Sequence, residues 1–265
     1  QYLDSRFLVL NGDIFTDLDI SAMLRFHDHR KAKATIALTP VADPTAYGLI
    51  ETNSEGKVTR FLEKPTPEQV TTNMINAGTY VLEHSVLDLI PPQTNYSFER
   101  QLFPHLLQRG DPVYAFSAPS YWIDIGKPET YFQLHRDLLA GNVKGYAETK
   151  GRAIKTGPGC RVHSESEING PAVIGENCII EKGARILGPV VLGPGNVVRE
   201  GCTIDSSIIW SNTRLEPKVN LKECLIAHDC RLGENVSAEK TVVGDHISIN
   251  RNTRLGPGSR IWPPV

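Results

Sequence analysis

The sequence predicts an α/β domain followed by a parallel β-helix, and three observations carry that prediction. Eight apolar residues stand six apart without a break: Val162, Ile168, Ile174, Ile180, Ile186, Leu192, Val198 and Ile204. A period of six suits neither an α-helix nor a flat strand; it marks a coil whose sides are one hexad long. Before residue 141 that period is absent, and apolar runs alternate with amphipathic stretches, as in a sheet covered by helices. Residues 141–155 are polar and contain glycine, which reads as a linker. The expected division is therefore 1–140, 141–155 and 156–265, and a chain of 265 residues has room for two domains.

The elements follow in order. Phe7–Leu10 reads as a buried strand. Asp19 or Ser21 caps a helix running to Arg30, with Met23, Leu24 and Phe26 on its inner side. Residues 33–39 and 47–52 read as strands; Asn53-Ser54-Glu55-Gly56 is a turn, and Val58–Glu63 is the returning strand. Residues 78–82 form a strand, and 84–90 a short helix stopped by Pro91-Pro92. Residues 98–108 form a longer helix that Pro104 kinks or splits. Residues 113–117 and 121–123 are strands around a turn. Residues 128–139 are a helix with Pro128 in its first turn and Gly141 at its end.

In the second half, the fourth residue after an apolar position is small or apolar, as at Cys178, Ala184, Val190 and Cys202, which suits a narrow interior corner. Gly188-Pro189 and Gly193-Pro194-Gly195 punctuate the bends. After Ile204 the repeat slips phase and continues through Ile209, Leu215, Leu221, Ile226, Leu232, Val243, Ile249, Leu255 and Ile261. Single-residue slips leave no room for a long loop.

Composition excludes several classes. With 28 basic and 30 acidic residues the net charge is −2, without the basic excess of a nucleic-acid footprint. No apolar run approaches the ~18 residues of a membrane span, and no signal-peptide pattern is visible, so a cytoplasmic protein is expected. None of the five cysteines forms a C-x-x-C pair, which argues against zinc. Cys160 and Cys178 stand one full coil apart and should stack about 4.8 Å from each other. The favoured reading is two small thiols in a reducing cytosol rather than a disulfide. The chain starts at Gln1 and enters Phe7–Leu10 almost at once, so the native protein is expected to be longer.

Four segments of the first half carry candidate chemistry. Leu8-Val9-Leu10-Asn11-Gly12-Asp13 is an apolar strand ending in an acid, where ligands of open α/β sheets bind. A carboxylate there suits Mg²⁺, a hard cation. The alternative, an Asn-Gly hairpin turn, is weakened because the following residues read as loop and helix. In Glu63-Lys64-Pro65 the lysine suits a phosphate and the glutamate sugar hydroxyls, although the tripeptide alone is common at surfaces. In Asn76-Ala77-Gly78-Thr79-Tyr80 the glycine permits close backbone approach and the amide both donates and accepts. Otherwise it is a turn before a strand. Residues 121–128 read as an aromatic strand ending in Asp124, a glycine turn, and a helix opened by proline. His27-Asp28-His29 looks like a metal cluster, but neighbours two apart do not share a helix face, so it reads as solvated surface. His163, His228 and His246 read as surface or rung histidines rather than as an acyl-transfer base.

In their order and spacing, Gly12-Asp13, Tyr47-Gly48, Glu63-Lys64-Pro65, Asn76-Ala77-Gly78 and Trp122-Ile123-Asp124-Ile125-Gly126 resemble the sugar-phosphate nucleotidyltransferase family. The resemblance covers essentially the whole chain and implies a Rossmann-like nucleotidyltransferase domain followed by a left-handed parallel β-helix of hexapeptide repeats. Within the family it is strongest to members that join mannose 1-phosphate to GTP. The implied reaction passes a nucleotidyl group from a nucleoside triphosphate to a sugar 1-phosphate. The implied residues are Asp13 and Asp124 for Mg²⁺, Lys64 for the sugar phosphate and Glu63 for sugar hydroxyls. Gly48, Asn76 and Gly78 would line the sugar pocket. Lys127 departs from the family, which usually has a small polar residue there. The family's opening Gly-x-Gly-Thr-Arg-Leu loop does not occur in the sequence, so the base stays open, and the sugar stays open because mannose, glucose and related sugars share these motifs. Two rival readings are a regulatory or scaffold subunit on the same fold and a hexapeptide acyltransferase; the unbroken repeat counts against the second. The flat faces of stacked coils suit symmetric pairing, so a homo-oligomer through the β-helix is expected.

Overall fold

The computed structural model describes residues 5–146 and 154–263; residues 147–153, the middle of the expected linker, lie outside them. The chain divides into two units, Gln1–Asp124 and Ile125–Val265.

The first unit is built on β3 (Ala34–Pro40), whose residues 34–39 are all buried. It lies inside the order β5-β4-β6-β3-β7, with β4 at Gly48–Thr52, β5 at Val58–Glu63, β6 at Met74–Leu82 and β7 at Val113–Ser117. Strand β1 (Phe7–Leu10) runs antiparallel to β6 through Leu10↔Thr79 and Phe7↔Leu82. It shares that edge of β6 with β4, which pairs further down at Leu49↔Ile75. The sheet is mixed. Only β3 and β7 among these pairs are parallel, because the Asn53–Gly56 turn folds β5 straight back on β4. Ile36, Leu82, Phe103 and Leu106 pack on one side, and Met23, Ala37 and Val81 on the other.

Helix α1 (Ile20–Arg30) is capped by Asp19, whose carboxylate accepts the Ala22 N–H at 2.9 Å. Met23 is buried as expected. His27 is buried too, at 1 % exposure, which corrects the solvated-surface reading of His27-Asp28-His29; Asp28 and His29 do face solvent. Its Nδ1 lies 2.8 Å from Thr35 Oγ1 and its Nε2 3.2 Å from Glu83 Oε1, partners supplied by two other segments.

Two elements differ from the sequence reading, and a third, the helix of 98–108, divides as Pro104 predicts. A short strand, β2 (Ile14–Thr16), pairs antiparallel with β8 (Trp122–Asp124) as a separate ribbon. Hence 113–117 and 121–123 are not a hairpin: β7 joins the main sheet and β8 joins β2. Strand β6 begins at Met74, so Asn76-Ala77-Gly78 lies inside a strand rather than before one. The helix of 98–108 is divided into a π-turn, Phe98–Leu102, and α2, Phe103–Gln108, with Pro104 at the start of the second piece.

The second unit holds α3 (Pro128–Ala140), ended by Gly141 in the left-handed region, and a parallel β-solenoid. Successive coils register Ile168↔Ile186↔Ile204↔Leu221. Ile174, Ile180, Ile186, Leu192, Val198 and Ile204 are buried inside, as are Cys178, Ala184 and Cys202 in the corners and Val190 at the start of a strand. Val162, on the first coil, is exposed. The phase slip sits at Ser206-Ser207, where the corner is one residue shorter and Val191 pairs with Ile208. Ser207 turns inward there, donating to Asp205 O at 2.7 Å and accepting Cys224 N–H at 2.9 Å. No described corner between solenoid strands exceeds four residues. All five cysteines are free thiols, and burial pushes that of Cys202 up to about 11. No described helix is long and apolar enough to cross a membrane.

Candidate active site

A backbone irregularity organises the site. Between Ile36↔Tyr80 and Leu38↔Asn76, β3 advances two residues while β6 advances four, so β6 bulges at 77–79. Gly78 takes φ +70°, a conformation that favours glycine, and a Cβ there would stand 2.9 Å from Asn11 Nδ2. The bulge turns its backbone groups outward. Gly78 O accepts the Asn11 N–H at 2.8 Å, and Ala77 O accepts the Trp122 indole N–H at 2.9 Å. Asn11 leads into Asp13, and Trp122 begins the strand that ends at Asp124. The bulge therefore ties together the two segments that carry the aspartates.

The ribbon register completes that arrangement. Asp124 pairs with Ile14, the residue directly after Asp13, so both acids lie at one end of the ribbon. The ring of Tyr47 meets Trp122 edge-on at 5.6 Å between centroids. Burial raises the Tyr47 phenol pKa, and the nearby Asp124 and Asp43 carboxylates add to the rise.

Glu63 and Gly48 face each other across β4 and β5. A Cβ on Gly48 would come within 2.9 Å of Glu63 Oε2 and of the Phe61 ring, so glycine makes the space the carboxylate occupies. Burial raises the Glu63 pKa; the Glu99 carboxylate adds to it, and Lys64 and Arg100 oppose it. Lys64 follows with φ +49°, its N–H donating to Tyr47 O at 3.0 Å. Lys31, Lys218 and Lys240 share this left-handed conformation, so it is not particular to the site.

Asn76 is anchored at both ends. Its Oδ1 accepts the Gly78 N–H at 3.0 Å, and its Nδ2 donates to Tyr80 Oη at 2.7 Å. Tyr80, buried in the core, donates in turn to Glu99 Oε1 at 3.0 Å, while Ser97 Oγ donates to Glu99 Oε2 at 3.0 Å.

The structure thus links Gly48, Glu63, Asn76 and Gly78 with Lys64 and Asp124, and it places Asp13 in the turn directly before Ile14, the residue that pairs with Asp124. Sequence reasoning assigned no role to Trp122, Tyr80, Ser97 or Glu99. The first two stood inside quoted segments. Ser97 and Glu99 come from the π-turn and carry no local signal. Among the described residues no group of three or more His, Cys, Asp or Glu is placed to hold a metal ion. A pair of carboxylates nevertheless fits Mg²⁺, which binds through one or two carboxylates and takes its other oxygens from phosphates and water.

The solenoid histidines are engaged locally. His228 Nδ1 lies 2.5 Å from Ser211 Oγ, His246 Nδ1 3.7 Å from Asp229 Oδ2, and His163 Nδ1 accepts the Glu165 N–H at 3.1 Å.

A family model described as nucleotidyl transferase matches residues 2–141, and one described as the GMPPB C-terminal domain matches residues 168–263. A UTP–glucose-1-phosphate uridylyltransferase of Synechocystis is 34 % identical over 85 % of this chain and 60 % of its own length. A mannose-1-phosphate guanylyltransferase of Mycobacterium tuberculosis is 42 % identical over 51 % of this chain and 37 % of its own. A mannose-1-phosphate guanyltransferase of Debaryomyces hansenii is 34 % identical over 98 % of this chain and 68 % of its own. The chain thus spans less than two thirds of the length of the first two relatives.

Proposed function

The chain belongs to the nucleotidyl transferase family, and we propose that its protein transfers a nucleotidyl group from a nucleoside triphosphate to a sugar 1-phosphate. The observation that supports this reading is the β6 bulge, whose backbone bonds Asn11, two residues before Asp13, and Trp122, two residues before Asp124, beside the Asn76 amide. In the reaction a phosphate oxygen of the sugar 1-phosphate bonds to the α-phosphorus of the triphosphate. The bridging α–β bond breaks, and pyrophosphate leaves with that electron pair. The attacking oxygen is already anionic near neutral pH, so no side chain has to remove a proton. Catalysis then rests on positioning and charge neutralisation.

Each residue has a part in this reading. Lys64, held by its backbone beside Tyr47, offsets the repulsion between the incoming phosphate and the triphosphate. Glu63, in the space left by Gly48, accepts hydrogen bonds from sugar hydroxyls. Asn76 and the backbone at Gly78 line the same pocket. Asp13 and Asp124 would hold Mg²⁺, which when bound neutralises phosphate charge and aligns the leaving group.

The proposed pair is mannose 1-phosphate and GTP. It is supported by the two mannose-named relatives and by the match of residues 168–263. The solenoid serves assembly in this account, as a homo-oligomer in the cytoplasm. Light scattering at micromolar concentration should return a dimer or larger, and a monomer would contradict that part.

The test is pyrophosphate release by the full-length protein with Mg²⁺, across a panel of nucleoside triphosphates and sugar 1-phosphates. Release confined to GTP with mannose 1-phosphate is the expected result. Release with another pair would correct the substrates. Silence from a folded protein would favour the regulatory-subunit reading.

A further inference from the structure

Asn76 has an amide whose two ends are fixed by hydrogen-bond direction. A backbone N–H only donates, so the Gly78 N–H at 3.0 Å fixes Oδ1 as its acceptor. Nδ2 only donates, so Tyr80 Oη at 2.7 Å must accept from it. Tyr80 then has its own proton to place, and Glu99 Oε1 at 3.0 Å takes it. The other Glu99 oxygen accepts from Ser97 Oγ, which itself accepts the Arg100 N–H at 3.2 Å. The chain of bonds runs one way, from the bulge to a carboxylate that only accepts when ionised.

We infer that Glu99, acting through Tyr80, is a positioning residue that holds the Asn76 amide in one orientation for a pair of sugar hydroxyls. An amide has two N–H bonds and two acceptor lone pairs. With one of each already used, Asn76 offers one donor and one acceptor side by side, which matches two neighbouring hydroxyl groups. The tyrosine hydroxyl sets that offer. If it donated to Asn76 instead, Oδ1 would have to face it, and the Gly78 N–H would meet an NH₂ group. Glu99 forbids this reversal by demanding the tyrosine proton for itself. A glutamine at 99 lifts this second constraint, because its own NH₂ can donate to Tyr80, and leaves the amide held by the Gly78 N–H alone. This inference rests on the sugar 1-phosphate reading of the site.

The test is calorimetric titration of the full-length protein with mannose 1-phosphate and glucose 1-phosphate, and separately with nucleoside triphosphate. Tyr80→Phe keeps the ring that packs against Phe103 at 5.2 Å and removes the hydroxyl. It should weaken sugar 1-phosphate binding about tenfold, and Glu99→Gln about threefold, the scale of one net hydrogen bond. Triphosphate binding should stay at the wild-type value in both. In an Asn76→Ala background the Tyr80→Phe effect should vanish, because the tyrosine acts through the amide. Full additivity of the two substitutions, or equal weakening of both ligands, would overturn the inference and leave Tyr80 a packing residue. Should Tyr80→Phe not fold, Glu99→Gln decides by the same comparison. A wild-type protein that binds neither sugar phosphate would instead overturn the reading of the site itself.

Discussion

Both units are built on β-strands, and they treat irregularity in opposite ways. In the solenoid, regularity is the source of stability. The same inward position is apolar coil after coil, from Ile168 through Ile186, Ile204 and Leu221. Where a polar side chain does enter the interior, the neighbouring coil satisfies it. Asn196, 1 % exposed, donates to Gly193 O at 2.8 Å and Trp210 O at 2.7 Å and accepts the Thr213 N–H at 2.8 Å. In the sheet unit the useful features are departures from the ladder: the β6 bulge, with Gly78 at positive φ, and Gly48 leaving a side-chain-sized space. A closed, repetitive interior has no groups left over for a ligand. A bulge releases backbone and side-chain groups that point out of the sheet. In the proposed function chemistry therefore belongs to the first unit and mechanical stability to the second.

Substitutions in the two units should separate along that line. The largest effect is expected from Asp124→Asn, which removes one preorganised charge from the site. Its kcat should fall at least about 100-fold with unchanged thermal stability. Wild-type rates at limiting Mg²⁺ would remove Asp124 from the site. Leu221→Ala, at a solenoid position with no exposure, should lower stability by about 2–5 kcal/mol through the cavity it leaves, read from the urea midpoint. The KM values of the surviving folded enzyme should not move. A shift in KM without a loss of stability would break the division of labour.

Asn196→Ala should cost about 1–3 kcal/mol, because it removes the partner of the Thr213 N–H and of Trp210 O in a buried corner, while Gly193 O keeps the Cys178 thiol. Here too the rate constants should hold. The smallest effect concerns pH. Burial lowers the His27 pKa, against the opposing pull of Glu83, from an ordinary value of 6.5. The unfolded chain therefore binds the proton more readily than the folded one. Stability from this group is full above about pH 6.5 and declines as pH falls below it. Burial shifts His135 on α3 in the same direction. Urea midpoints measured from pH 8 to 5 should fall in the wild type and fall less steeply in His27→Gln. An unchanged slope would mean that burial does not hold the His27 imidazole neutral in the folded chain.

The solenoid was legible because each coil repeats one local demand, so six residues of spacing suffice to find its interior. The ends of β1, β5 and β8 were legible because a polar residue after an apolar run is a contrast within a few positions. What escaped notice depends on residues far apart in sequence. Strand β2 is three residues, Ile14-Phe15-Thr16, too short to show any period, and its partner lies over a hundred residues later. Gly78 reads as a turn because a two-residue bulge and a turn use the same glycine. His27 looks like surface until Thr35 and Glu83 fold over it. Glu99 is an ordinary acid in a helical stretch, and only the π-turn brings it to Tyr80.

The most direct measurement of the central claim compares two reactions on one preparation of the full-length protein: pyrophosphate release, and thiol release from acetyl-coenzyme A. Wild type, Asp124→Asn and His228→Ala are assayed side by side. The expected result is pyrophosphate release that Asp124→Asn abolishes and His228→Ala leaves intact, with no thiol release in any of them. Thiol release that depends on His228, or pyrophosphate release indifferent to Asp124, would contradict the account and move the chemistry out of the first unit.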